Sequence, residues 1–157
     1  MLYLAYGANT NRAAMAYRCP GAEFVGLADL PGYELVFRGV ADLRPAPDQA
    51  VQVALWDITE ADLAALDRFE GYPRLYTRRQ VPFTPLSLRQ PISGTRAWVY
   101  TMTPGPALAP PVPYYLDALQ EGYRDCDLPG QQLTAALALL PGRGSPAPGH
   151  VSRQWAL

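Results

Sequence analysis

The chain has 157 residues, of which 49% are hydrophobic and 17% charged, and its net charge is −1; these are the proportions of one globular domain with enough apolar residues to bury a core. A charge so close to zero gives no electrostatic support to a nucleic-acid or anionic-membrane partner. No apolar run approaches the roughly 20 residues of a membrane span, and all 13 basic residues are arginines scattered without a patch.

The N-terminal MLYLAYGANTNR lacks the basic start and long apolar stretch of a secretion signal. Residues 2–7 read as a buried strand that ends at Gly7. Asn9 or Thr10 is placed to cap a short helix through Ala14 and Tyr17, which stops before Pro20-Gly21. Two strands are expected at 23–30 and 33–38, separated by the turn signal Pro31-Gly32. Residues 41–50 read as a loop and 51–58 as a strand, with Val51, Val53 and Leu55 alternating. Thr59 then caps a helix with Asp62 at the capping-box position, and Gly71 is its expected C′ residue. Strands are expected at 76–83 and 96–102, a stiff proline-rich connector at 103–113, and helices at 114–123 and 131–140. Residues 1–140 make a single domain, and 141–157 form a C-terminal tail, docked or flexible. Helices do not alternate strictly with strands, so the order predicts a mixed α+β fold, with short strands around one core as in a closed or nearly closed barrel.

Cys19 and Cys126 stand alone, without a CxxC or a histidine at ligand spacing. They are expected to be free, buried thiols in a cytoplasmic protein, and no metal site is expected.

Within the helix before Gly71, positions seven apart lie nearly in register. Glu70 therefore continues the apolar stripe of Leu63, Leu66 and Phe69, whereas Glu60, Asp62 and Asp67 fall off it and are expected in solvent. A carboxyl on an apolar stripe at a helix C-terminus is pushed toward neutrality by desolvation and by the negative end of the helix dipole. That suits reversible proton transfer. Residues 6–9, YGAN, place a glycine where a strand turns into a helix, a geometry that offers backbone N–H groups to a carboxylate or a carbonyl oxygen.

Taken together, LYLAYGANTNR, LDRFEGYPRLYTRRQV, AWVYTM and PPVPYY resemble, in order and spacing, the γ-glutamylcyclotransferase family with its AIG2-like relatives. The resemblance covers about residues 1–140. It implies a compact mixed β-barrel of short strands with flanking helices and one cavity, and an enzyme that needs no cofactor. The family reaction cyclises a γ-glutamyl group to 5-oxoproline and releases the amine. The resemblance makes Glu70 the general acid/base and Tyr6, Gly7, Ala8 and Asn9 the loop that binds the glutamyl group. It places Tyr76 and Tyr100 in the pocket, with Tyr115 or Tyr114 closing it. The partner it implies is a small γ-glutamyl molecule, whether a γ-glutamyl amino acid, a γ-glutamylamine or a γ-glutamyl protecting group. Many relatives carry serine where this chain has Ala8, which removes a hydroxyl from the loop.

Two other readings stand beside the enzyme. One is a small-molecule-binding protein that keeps the pocket without turnover. The other is an interaction protein that uses PGPALAPPVP as a polyproline II ligand. The missing GxSxG and a single histidine, His150, in the tail argue against a serine hydrolase.

Overall fold

The computed structural model describes residues 1–102 and 104–142. Its elements are β1 (Leu2–Ala5), a 3-10 turn (Ala8–Thr10), α1 (Arg12–Arg18), β2 (Glu23–Phe37), β3 (Ala41–Asp57), α2 (Glu60–Phe69), β4 (Thr77–Pro82), β5 (Thr84–Leu88), β6 (Arg96–Thr101), α3 (Pro113–Cys126) and α4 (Gly130–Ala138). One mixed sheet runs in the order β4-β6-β1-β3-β2-β5. Every residue of β1 is buried because the strand is central, antiparallel to β3 with Leu4 opposite Leu55, and parallel to β6 with Tyr3 opposite Trp98. The α+β class is as the sequence predicts. The edges β4 and β5 are not paired to each other, so the sheet is barrel-like without closing.

Several boundaries differ from the sequence reading. Pro31-Gly32 does not separate two strands; β2 continues through it as one strand of 15 residues. The register jumps from Pro31 opposite Ala50 to Tyr33 opposite Pro45, so the ladder absorbs the turn signal as an irregularity, with Gly32 at φ 86°. Residues 41–50, expected as a loop, belong to the 17-residue β3. The reason is packing: Leu35 and Phe37 on β2 and Ala41 and Leu43 on β3 are all buried and pair across the hairpin. β5 was not foreseen. It is exposed along its whole length and is a strand only because it pairs with β2, so no inward-facing alternation marks it in the sequence.

The helix starts follow local chemistry. The capping box of α2 is present as predicted, Asp62 N–H donating to the Thr59 hydroxyl at 3.1 Å and Thr59 N–H to the Asp62 carboxylate at 3.0 Å. Asp62 is buried rather than solvated, because its carboxylate also accepts from Gly21 N–H at 3.2 Å. α1 is capped by Asn11, not by Asn9 or Thr10; the Asn11 side chain accepts from Ala14 N–H, and the 3-10 turn occupies the residues before it. Cys19 and Cys126 are free and buried, as expected.

α3 lies directly on the 3-10 turn. The Cys126 thiol reaches the Thr10 carbonyl at 3.2 Å, and the Asn11 side chain donates to the Ala118 carbonyl at 3.2 Å. The Tyr123 hydroxyl donates to the Tyr6 carbonyl at 2.9 Å. The connector before α3 is docked through a bridge between Ala109 and Arg38, in the turn between β2 and β3. The expectations for the tail beyond residue 142, including His150, lie outside the described residues.

Gly122 marks how close α3 comes to the turn: a Cβ there would sit 2.4 Å from Thr10 Oγ1 and 2.5 Å from the Asn11 nitrogen. Gly122→Ala is therefore expected to destabilise the protein by about 1–3 kcal/mol, the usual cost of overpacking. Urea denaturation would measure it, and a neutral result would mean that α3 can shift off the turn freely.

Candidate active site

Glu70 follows the last residue of α2, with its N–H still donating to the Leu66 carbonyl at 2.8 Å. Gly71, at φ 65°, turns the chain away in the left-handed conformation that glycine adopts without strain. The Glu70 side chain points toward the YGAN loop, 61 positions earlier, where its Oε1 accepts from Asn9 Nδ2 at 3.2 Å. The same Asn9 nitrogen donates to the Tyr3 hydroxyl at 2.9 Å, and Asn9 Oδ1 accepts from Arg18. A strand, a turn and two helix ends thus meet at one carboxyl.

Around it lies a cleft of about 120 Å³, small beside the roughly 300–1,000 Å³ of sites for drug-sized ligands. Tyr6, Gly7, Ala8, Asn9, Glu70, Tyr76, Tyr100 and Tyr115, all named from the sequence, line it together. Tyr114 does not; it is 84% exposed and faces an outer groove beside α3. The cleft also takes Tyr3, Val40, Ala41, Phe69 and Leu75, and Arg18 stands behind Asn9. No linear pattern in the sequence points to Tyr3, Val40 or Arg18, because each arrives from a different element. Phe69 was expected to face inward; it is 44% exposed, with the Arg18 guanidinium 3.4 Å from its ring centre. Asp67, expected in solvent, pairs with Arg78 at 2.8 Å and accepts from the Tyr100 hydroxyl at 2.6 Å.

The tyrosine hydroxyls brace the walls rather than touching Glu70. Tyr6 donates to the Tyr100 carbonyl at 2.5 Å and Tyr76 to the Ala41 carbonyl at 2.6 Å, while the Tyr115 hydroxyl accepts from Ala41 N–H at 2.9 Å. Burial pushes the Tyr3, Tyr6, Tyr76, Tyr100 and Tyr115 phenols upward, so they are neutral near pH 7. Burial also raises the Glu70 carboxyl, to about 7, against a smaller lowering by Arg18. The cleft therefore combines neutral hydroxyls with one group that exchanges a proton in the physiological range. Among the described residues no cluster of three or more His, Cys, Asp or Glu is arranged to hold a metal ion.

Residues 3–120 match the sequence model of the family described as "Gamma-glutamyl cyclotransferase, AIG2-like". The chain belongs to that family. The match takes in every residue of the cleft. A solved γ-glutamyl cyclotransferase superposes on this member with a TM-score of 0.74 at 23% identity, over 93% of this chain and 91% of the other. An uncharacterized protein from Homo sapiens does so with 0.73 at 24%, over the same shares. An AIG2-like protein from Mus musculus gives 0.57 at 23%, over 73% and 81%. At such identities the likeness is one of fold. Among curated proteins no sequence matches the chain.

The raised Glu70 carboxyl has a consequence for stability. It moves from an ordinary value near 4.5 to about 7 on folding, so the folded state binds the proton more tightly than the unfolded one. The stabilisation is complete below about pH 4.5 and is lost as pH rises through about 7, on the order of 3 kcal/mol at most, since the side chain keeps some contact with water in the cleft. Wild type is thus expected to lose stability relative to Glu70→Gln between pH 4.5 and 7.5. Denaturant titrations of both proteins across that range test this; a constant difference would mean that Glu70 titrates as an ordinary surface glutamate.

Proposed function

We propose that this family member cyclises the γ-glutamyl group of a small peptide or amine, with Glu70 as its single general acid/base. The observation that carries this reading is the juxtaposition of a carboxyl near pKa 7 with the YGAN turn inside one small cleft. The first internal hydrogen bond of the turn is that of Thr10 N–H with the Gly7 carbonyl, at 3.0 Å. The amides of Ala8 and Asn9 precede that bond and are the donors offered to a glutamyl carboxylate or to the oxygen of the reacting carbonyl. Since Ala8 has no hydroxyl and the Asn9 side chain is engaged by Tyr3, Glu70 and Arg18, binding by this loop falls to its backbone.

In the proposed reaction, ionised Glu70 takes a proton from the substrate's α-ammonium. The freed amine attacks its own γ-carbonyl carbon, a C–N bond forms in the five-membered ring, and the bond to the leaving nitrogen breaks. Glu70 returns this proton to that nitrogen, and the second proton, shed by the ring nitrogen as the lactam forms, passes to the released amine, so the products are 5-oxoproline and a protonated amine. No co-reactant is consumed. The attack is intramolecular, and the cleft contributes by holding the glutamyl chain folded, with its reacting atoms close. A carboxyl near 7 suits both proton transfers, because neither its acid nor its conjugate base is far from the working pH.

Mass spectrometry of 5-oxoproline released from a panel of γ-glutamyl dipeptides and γ-glutamylamines tests the reaction and identifies the leaving group. Glu70→Gln is expected to stay folded and lose about 10²–10⁴ in rate, the size of a removed general acid/base; near-wild-type turnover by that variant would sink the assignment. For the wild type, kcat/KM is expected to rise with pH along a limb centred at about 7, the pKa of Glu70 in the free enzyme. A limb centred near 4.5 would mean that the reactive base is an exposed carboxylate.

A further inference from the structure

We infer that Arg18 is a positioning residue of this cleft: by taking the oxygen edge of the Asn9 amide, it forces the N–H edge onto Glu70 and so aims the carboxyl. The Asn9 side chain has one acceptor oxygen and one nitrogen with two donors, and it has three partners. The Tyr3 hydroxyl can donate or accept, so it is content with either edge of the amide. A carboxyl that passes a proton back and forth is equally tolerant, since its acid form donates and its ionised form accepts. A guanidinium has donors only. Arg18 is therefore the one partner that tells the two edges apart. With its N–H on Asn9 Oδ1, both Nδ2 hydrogens are committed, one to Tyr3 at 2.9 Å and one to Glu70 at 3.2 Å.

Arg18 is itself held for this task. It is half-buried in the last turn of α1, and its guanidinium carbon sits 3.4 Å from the centre of the Phe69 ring, the side chain that immediately precedes Glu70. The same ring contact keeps the cation beside Glu70 while directing it at Asn9. The groups that face Glu70 are Tyr3 on β1, Tyr6 just after it, Tyr76 before β4, Tyr115 on α3, and Arg18. Four of these are phenols kept neutral by burial; among the described residues around Glu70, Arg18 alone brings a positive charge. Its charge and the donor it secures act in the same sense, both favouring the ionised carboxylate.

The inference rests on the proposed reaction only for its kinetic consequence, so a measurement without turnover is paired with one that needs it. Carboxyl ¹³C NMR would follow the Glu70 titration, assigned by its loss in Glu70→Gln, in wild type, Arg18→Met, Arg18→Gln and Arg18→Lys. Both neutral variants are expected to raise the midpoint by about one pH unit, the low end of what an adjacent opposite charge does. Arg18→Lys, which keeps a cation that only donates, should return it most of the way. In kinetics, kcat/KM of Arg18→Met at pH 6 should fall about ten-fold, with a far smaller loss at high pH where Glu70 is ionised in either protein. An unmoved midpoint in folded neutral variants would overturn the inference, leaving Arg18 as a brace between α1 and Phe69. Failure of both neutral variants to fold would count against it in the same way. A raised midpoint without turnover of any γ-glutamyl compound would uphold Arg18 and discard the reaction, whereas turnover with an unmoved midpoint would do the reverse.

Discussion

The Glu70 carboxyl is kept largely out of bulk water at the negative end of a helix, and much of the architecture around it serves to make that placement tolerable. An isolated carboxylate there would be strongly disfavoured. The fold meets part of the cost with one amide N–H from Asn9 and the nearby Arg18 charge, so the carboxyl titrates at about 7 and is not locked in its acid form. Stronger compensation, such as a direct ion pair, would pull the carboxyl back toward its ordinary value and make it a poorer proton acceptor.

Holding that balance requires two segments far apart in sequence to stay in register. β1 delivers Tyr3, Tyr6 and the turn after it, and β1 cannot slide because it is paired on both sides, to β3 and to β6. α3 closes on the turn from above, through Cys126, Gly122 and the Tyr123 hydroxyl. α2 ends at a glycine-turned corner, so the last side chain before the corner projects sideways into the same space. Moving any of the three would change the Asn9–Glu70 contact.

The rest of the cleft wall comes from the tip of the β2–β3 hairpin, where Ala41 uses its carbonyl on Tyr76 and its N–H on Tyr115. That tip is pinned from behind. Asp42, fully buried, accepts from Arg38 at 2.8 Å and from Met102 N–H at 2.9 Å, and Ala109 of the proline-rich connector bridges onto Arg38. The connector thus packs on the scaffold beside the cleft, with Ala109 exchanging backbone hydrogen bonds with Phe37 and Gly39.

What the sequence by itself determined is what a few neighbouring residues decide: the capping box at Thr59 and Asp62, the glycine corner after Glu70, the inward aim of that carboxyl, and a turn at YGAN. Each depends on contacts within about a helical turn, so the signal survives in a linear reading. The order of motifs carried the family as well. Tertiary structure decided the rest. Pro31-Gly32 became an irregularity in a long strand because buried partners on β3 outweighed the local turn preference. β5 exists only through its neighbour. Asp62 and Asp67, polar by every local criterion, were drawn into hydrogen bonds with Gly21, Arg78 and Tyr100. Tyr3 and Arg18 reach Asn9 from a strand and a helix end whose meeting no spacing encodes, because side-chain direction across elements is set by sheet pairing and helix packing rather than by distance along the chain.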